Sequence, residues 1–182
     1  SKLAQEDLTA VKRRPWWQDR WITGLAAGVF VLAGMSFALW TLDKTMLPKT
    51  PLTTLAGKPT DLATVAAGKP MVVNLWATWC PPCRLELPFL AAAQRQEAGI
   101  NFVFVDQGED AVTVQRYLDA AQLTLSNVLL DNNLRLGREV GVTVLPVTLF
   151  YDARGKMMDT HLGALSPSLL AEKLNRLRPP SK

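Results

Sequence analysis

Apolar positions are unevenly distributed along the chain, and the first third holds the longest unbroken run. From Trp21 to Leu42 no Asp, Glu, Lys or Arg occurs. As a helix these 22 residues would reach about 33 Å at roughly 1.5 Å per residue, enough to cross a hydrocarbon core of about 30 Å. Trp16, Trp17 and Trp21 bracket the run on one side and Trp40 on the other, where membrane interfaces would fall. A cleaved signal peptide would carry a shorter apolar region ending in small residues, whereas Phe37, Leu39, Trp40 and Leu42 occupy this exit. The pattern therefore predicts a retained transmembrane anchor over residues 21–42.

Flanking charge orients that anchor. Lys12, Arg13, Arg14 and Arg20 precede it, while Lys44 and Lys49 alone follow closely. The positive-inside bias predicts a cytoplasmic segment at residues 1–20 and places the rest outside the cytoplasm. In a bacterium this is a single pass through the inner membrane with the following domain in the periplasm. Residues 43–51, stiffened by Pro48 and Pro51, read as a linker, and residues 52–182 as the folded domain.

Within that domain the period changes back and forth between that of a strand and that of a helix. Met71 to Trp76 reads as a buried strand, followed by a helix from Pro81 to about Ala98. Asn101 to Val105 is a second apolar strand, Ala111 to Ala121 a second helix, and Val128 to Leu130 a short strand. A short helix is expected from Leu134 to about Val140. Val147–Tyr151 and Lys156–Leu162 flank Asp152-Ala153-Arg154-Gly155, a hairpin turn with glycine in a left-handed position. Ser166 and Pro167 supply the N-cap and first position of a last helix, through about Leu177. The order predicts an α/β domain, a mixed central sheet covered by helices on both faces.

Composition narrows the function. With 48% hydrophobic and 20% charged residues the chain is not disordered overall. A net charge of +4, from 20 basic and 16 acidic residues, is too mild and too evenly spread for a nucleic-acid binder. Two cysteines exclude a disulfide scaffold, and one histidine leaves little for a metal site.

Those two cysteines carry the chemistry. In Trp79-Cys80-Pro81-Pro82-Cys83 a strand runs directly into the start of a helix. Cys80 at a helix N-terminus meets free N–H groups and the positive end of the dipole, which favour its thiolate. Cys83, one turn deeper, is close enough to form a disulfide with it. Pro81 fits the first turn because its missing N–H would have had no helical partner. Zinc also uses CxxC but usually needs four ligands, and the chain offers two thiols and His161. Redox chemistry is the better reading, with no metal and no cofactor expected.

The segment Val72-Val73-Asn74-Leu75-Trp76-Ala77-Thr78-Trp79-Cys80-Pro81-Pro82-Cys83-Arg84-Leu85-Glu86-Leu87-Pro88 resembles the active-site region of membrane-anchored, thioredoxin-like reductases of the TlpA, ResA and DsbE/CcmG type, the TlpA-like members above all. The resemblance spans about Leu52 to Leu177. It implies a thioredoxin-like fold in which Cys80 attacks a client disulfide and Cys83 resolves the mixed disulfide. It further implies that Pro88 kinks the active-site helix and that Pro146 is cis and faces the cysteines. Clients would be disulfide-containing proteins, with a membrane thiol carrier as electron donor. Pro81-Pro82 places no histidine between the cysteines to stabilise a thiolate, so the reductase direction is favoured over the oxidase one.

Several other residues stand beside this pair. Glu86 matches the acidic residue that follows CxxC in the family; it either tunes the thiols or rides on an exposed helix face. Asn74 falls where ordinary thioredoxins carry a buried acid, which leaves Glu86, Asp106, Glu109 or water to move protons. Trp79 reads as part of a docking rim and Trp76 as core, while His161 reads as a surface or packing residue. Met157 and Met158 are adjacent on a strand, hence on opposite faces, and form no copper-binding stripe. Val144 and Val147 depart from the residues common around the cis-proline, and the Gly-rich signature of the cytochrome c maturation members is absent. Two rivals, a Sco-like copper protein and a thiol peroxidase, lack here their CxxxC with a placed histidine and their PxxxTxxC pattern.

Overall fold

The computed structural model describes residues 28–39 and 45–178. Between Asp43 and Lys44 the chain divides into two compact units. In the first, residues 28–39 are helical (α1), and Val29, Phe30, Val31, Leu32, Met35, Phe37 and Leu39 are exposed along it. Among the described residues no helix is long and apolar enough to cross a membrane. The expected span at 21–42 lies partly outside them, at both ends.

The second unit is built on seven strands in the order β2-β1-β5-β4-β3-β6-β7. Its elements are β1 (Leu52–Thr54), β2 (Pro59–Thr60), α2 (Leu62–Ala66), β3 (Met71–Trp76), α3 (Pro81–Gln96) and β4 (Asn101–Gln107). They continue with α4 (Ala111–Ala120), β5 (Val128–Asp131), α5 (Arg135–Glu139), β6 (Val147–Tyr151), β7 (Met157–Leu162) and α6 (Pro167–Leu177). β3, β4 and β5 run parallel, and the other pairings are antiparallel. The expected mixed sheet is therefore present, with parallel strands at the centre and hairpins toward the edges.

Strand alternation sorts the core into two layers. Val72 and Trp76 of β3 join Phe102 and Phe104 of β4 on the face covered by α3, α4 and α6. Met71, Val73 and Leu75 join Val103 and Val105 on the face covered by α2 and α5. Both cysteines belong to the first layer. The same alternation assigns Asn74 and Asp106 to that face, so the sheet itself carries polar groups to the cysteine side.

Local chemistry explains the joints. Asp152 Oδ1 accepts the N–H groups of Arg154 and Lys156, and Gly155 takes φ +78° to close the β6–β7 hairpin. A Cβ there would also meet Leu47 at 3.0 Å, because residues 45–47 pair with the hairpin: Leu47 N donates to Gly155 O and Met157 N to Thr45 O. Residues 45–47, read from sequence as linker, are thus bonded to the domain. Ser166 Oγ accepts Leu169 N, as its N-cap position predicts.

The first elements of the domain, β1, β2 and α2, have no counterpart in the sequence expectations. These elements are two to five residues long. They exist because β1 pairs with β5 and because Asp61 caps α2 through Thr64 N at 2.7 Å. Elsewhere the expected elements differ only at their ends, α3 stopping at Gln96 and β4 running on to Gln107.

Candidate active site

β3 ends at Trp76, and four residues later Cys80 caps α3 in extended conformation, with Pro81 and Pro82 filling the first turn. Cys80 and Cys83 form a disulfide across 5.3 Å between Cα atoms. Cys80 Sγ also receives the Cys83 N–H at 3.4 Å, so this sulfur sits among the unpaired donors of the helix start. The sequence reading has Cys80 as the more open of the two. In the disulfide form both are closed, Cys80 2% exposed and Cys83 0%. Trp79, next to them, is 65% exposed, whereas Trp76 is buried.

The Leu145–Pro146 peptide is cis. Leu145 packs against the layer that holds both cysteines, and Pro146 O accepts Gly163 N at 2.8 Å, tying the start of β6 to the end of β7. Pro88 lies within α3, on an exposed position.

Two buried carboxyls face this layer. Glu86, on α3, is 1% exposed, which removes the reading of it as a residue on an exposed helix face. Its Oε1 accepts Asn74 Nδ2 at 2.7 Å and its Oε2 accepts Leu165 N at 2.8 Å. Asn74 Nδ2 also donates to Thr148 Oγ1 at 3.1 Å. Burial pushes the Glu86 carboxyl above its usual range, opposed by the Leu165 and Asn74 hydrogen bonds and by the charge of His161. His161 pairs with Thr148 across β6 and β7, with Nε2 3.2 Å from Ala164 O.

Asp106, at the C-terminal end of β4 beside Trp76, is 0% exposed. Its Oδ1 accepts Glu109 N at 2.9 Å, while Oδ2 is buried without a hydrogen-bond partner. Desolvation, joined by the Glu109 carboxyl, pushes Asp106 up to about 8. Glu109 in turn accepts Thr78 N at 2.7 Å and Thr78 Oγ1 at 2.6 Å, and its carbonyl accepts Asn132 Nδ2 at 3.1 Å. Glu86, Asp106 and Glu109 were each read from the sequence as possible proton carriers. The Thr78 clamp was not, and it had no local signal, since its partners are 31 positions apart.

Arg84 lies over the Tyr117 ring at 5.6 Å, and Tyr117 packs on Trp76 at 5.7 Å. Among the described residues no group of three or more His, Cys, Asp or Glu side chains is placed to hold a metal ion. The arrangement is thus a thiol pair at a helix start, with protonatable groups to either side of it.

Comparison with known proteins agrees with that chemistry. The model of the Redoxin family matches residues 41–174. Thiol-disulfide oxidoreductase ResA of Halalkalibacterium halodurans is 28% identical over 114 residues, 62% of this chain and 64% of the relative. Thiol:disulfide interchange protein DsbE of Escherichia coli K12 is 33% identical over 110 residues, 60% of this chain and 58% of the relative. The chain thus matches less than two thirds of the length of either relative. Among solved structures, MTB dsbF in its mixed oxidized and reduced forms superposes with TM-score 0.66 at 25% identity, over 72% of this chain and 99% of that one. The resemblance to the ResA and DsbE group, and the thioredoxin-like fold it implies, are therefore shown.

Proposed function

The chain belongs to the Redoxin family, and from that premise we propose that it is a protein thiol-disulfide oxidoreductase of the ResA and DsbE kind, working as a reductase through Cys80 and Cys83. The observation that carries the reading is the Cys80–Cys83 disulfide at the capped start of α3. In the reduced protein the Cys80 thiolate attacks one sulfur of a client disulfide. A mixed disulfide forms and the second client sulfur leaves as a thiolate. Cys83 then attacks Cys80 Sγ, which releases the client as a dithiol and closes the Cys80–Cys83 bond. Two electrons pass to the client, and a membrane thiol carrier returns them.

The direction rests on the residues between the cysteines. Pro81 and Pro82 offer no cation or side-chain donor to a thiolate, so the dithiol is less stabilised than in strong oxidants and is the better reductant. A membrane setting is the reading that the first unit supports. An uncharged run at residues 21–42, helical and apolar on all sides at residues 28–39, suits a hydrocarbon surround better than water. The bacterial inner membrane, with residues 1–20 cytoplasmic and the thiol domain periplasmic, is the proposed setting.

The test is trapping. Cys83→Ser should accumulate a covalent adduct between Cys80 and client proteins, while Cys80→Ser should form none and lose disulfide reduction altogether. Turnover by Cys83→Ser without an adduct would defeat the assignment of roles. A glutathione equilibrium as oxidising as that of disulfide-forming enzymes, about −120 mV, would defeat the reductase direction.

A further inference from the structure

Glu109 joins three loops at the C-terminal ends of the parallel strands. Its carboxylate holds Thr78 of the β3–α3 loop by both N–H and hydroxyl, its N–H goes to Asp106 at the end of β4, and its carbonyl takes Asn132 from beyond β5. Thr78 stands two residues before Cys80, in a turn closed by Cys80 N donating to Ala77 O. Whatever moves Glu109 therefore moves the segment that presents the nucleophile.

Asp106 is what acts on Glu109. Its Oδ2 is buried and meets no donor, and the side chain interacting with it is another carboxyl, that of Glu109. Two acceptors face to face in a dry site repel unless one of them holds a proton. The charged surroundings add to the need. Asp110 on the same loop also acts on Asp106, although its own carboxylate caps α4 at Thr113 N and feels Arg116. From β3 and α4 come Trp76 and Tyr117, neutral rings, with Arg84 of α3 stacked over Tyr117. From β5 comes the apolar Leu130, the pairing partner of Asp106, while Asp131 falls on the other face, where its oxygens accept Arg135 N and Gly137 N.

We propose that Asp106 and Glu109 share one proton, and that this proton keeps the Glu109 carboxylate on Thr78 and so positions the Cys80 loop for thiol chemistry. Asp106 is a positioning residue, acting through Glu109 and Thr78 and touching neither client nor sulfur. With the proton in place the pair is singly charged and the clamp is closed. Once it leaves, the two neighbouring carboxylates repel and Glu109 loosens its hold on Thr78. The consequence for catalysis rests on the proposed thiol-disulfide function; the clamp itself does not.

Hydrogen exchange of the Thr78 amide in the oxidised full chain tests the clamp without any thiol titrating. Corrected for the intrinsic exchange rate, protection should fall about tenfold as the pH rises from about 6 to about 10 and passes the Asp106 titration, the size expected for losing one hydrogen bond to a charged acceptor. In Asp106→Asn the amide donates to Glu109 at every pH, so protection should stay level. The reduced chains then give the catalytic arm. The ratio of rates at pH 9 and pH 7 against glutathione disulfide should be higher in Asp106→Asn than in the native chain, because only the native loop loosens. Should Asp106→Asn fail to fold, a carbon-13 titration of the Asp106 carboxyl in the native chain decides: protonation in the ordinary range near 4 overturns the proposal. Level protection in the native chain, or a parallel fall in both proteins, overturns it as well. A pH-dependent clamp in a protein that exchanges no disulfides would instead defeat the proposed function.

Discussion

Glu86 and Asp106 are two carboxyls buried on the same layer as the cysteines, and they differ in what faces them. Glu86 meets donors: Asn74 Nδ2 on one oxygen and Leu165 N on the other. Asp106 meets one donor, Glu109 N, and then a second carboxyl. Burial raises both, but the hydrogen bonds at Glu86 oppose the rise, whereas the carboxyl at Asp106 adds to it. Burial alone therefore does not define a proton carrier. A carboxyl surrounded by donors is an anchor that keeps its place, and one set against an acceptor has to hold a proton to stay there.

The largest effect is expected where the donors are. Glu86→Leu keeps the volume roughly but strands the Leu165 N–H and one Asn74 hydrogen, each costing roughly 1–3 kcal/mol when buried and unpaired, about 2–6 kcal/mol together. Denaturant unfolding of the oxidised chain measures this. A loss below about 1 kcal/mol would mean that these donors find other partners and that Glu86 is no anchor.

Asp106→Asn should go the other way. Its folded value, about 8, lies above its unfolded 3.8, so the native stability from this group is fully present below 3.8 and is lost as the pH rises toward 8. An asparagine ionises in neither state and supplies a donor to Glu109. The variant should gain on the native chain across that window, with a limiting slope of about 1.4 kcal/mol per pH unit that amounts to roughly 4 kcal/mol between pH 5 and pH 8. Unfolding at pH 5 and at pH 8 gives both numbers, and identical pH dependence in the two proteins would erase the contrast between the two carboxyls.

Both burials were legible in the sequence to different degrees. Asp106 closes the run Asn101-Phe102-Val103-Phe104-Val105, and strand alternation places it with Phe102 and Phe104 on the covered face. Glu86 falls with Cys83, Leu87 and Leu90 at the i, i+3, i+4, i+7 positions of α3, the stripe that turns inward, so its alternative reading as an exposed residue ignored the helix period. Cys80 at the helix start followed from a strand running into Pro81-Pro82, and the cis state of Pro146 from resemblance alone. What the sequence withheld are the long-range partners. Leu165 N lies 79 positions from Glu86 and Thr78 lies 31 from Glu109, and no periodicity reaches that far. The same limit hid β1, β2 and α2, which are too short for a period to show and are fixed by pairing with β5 and by the Asp61 cap.

The smallest effect on stability should come from Trp79, and it isolates what the two carboxyls do not control. At 65% exposure its ring covers little of the core, so Trp79→Ala should change unfolding by less than about 0.5 kcal/mol. Its place is next to Cys80, and large exposed rings beside a reacting sulfur belong to surfaces that hold partners. The reading of Trp79 as docking rim predicts that kcat/KM for a folded disulfide client falls about 5–30-fold, the loss of roughly 1–2 kcal/mol of contact. A small disulfide such as oxidised glutathione cannot span the rim and should lose much less. The pH profile should keep the shape set by Asp106 and Glu109, since neither carboxyl depends on this ring. An equal loss on large and small substrates would show that Trp79 acts on Cys80 itself, and a shifted profile would couple it to the Thr78 clamp.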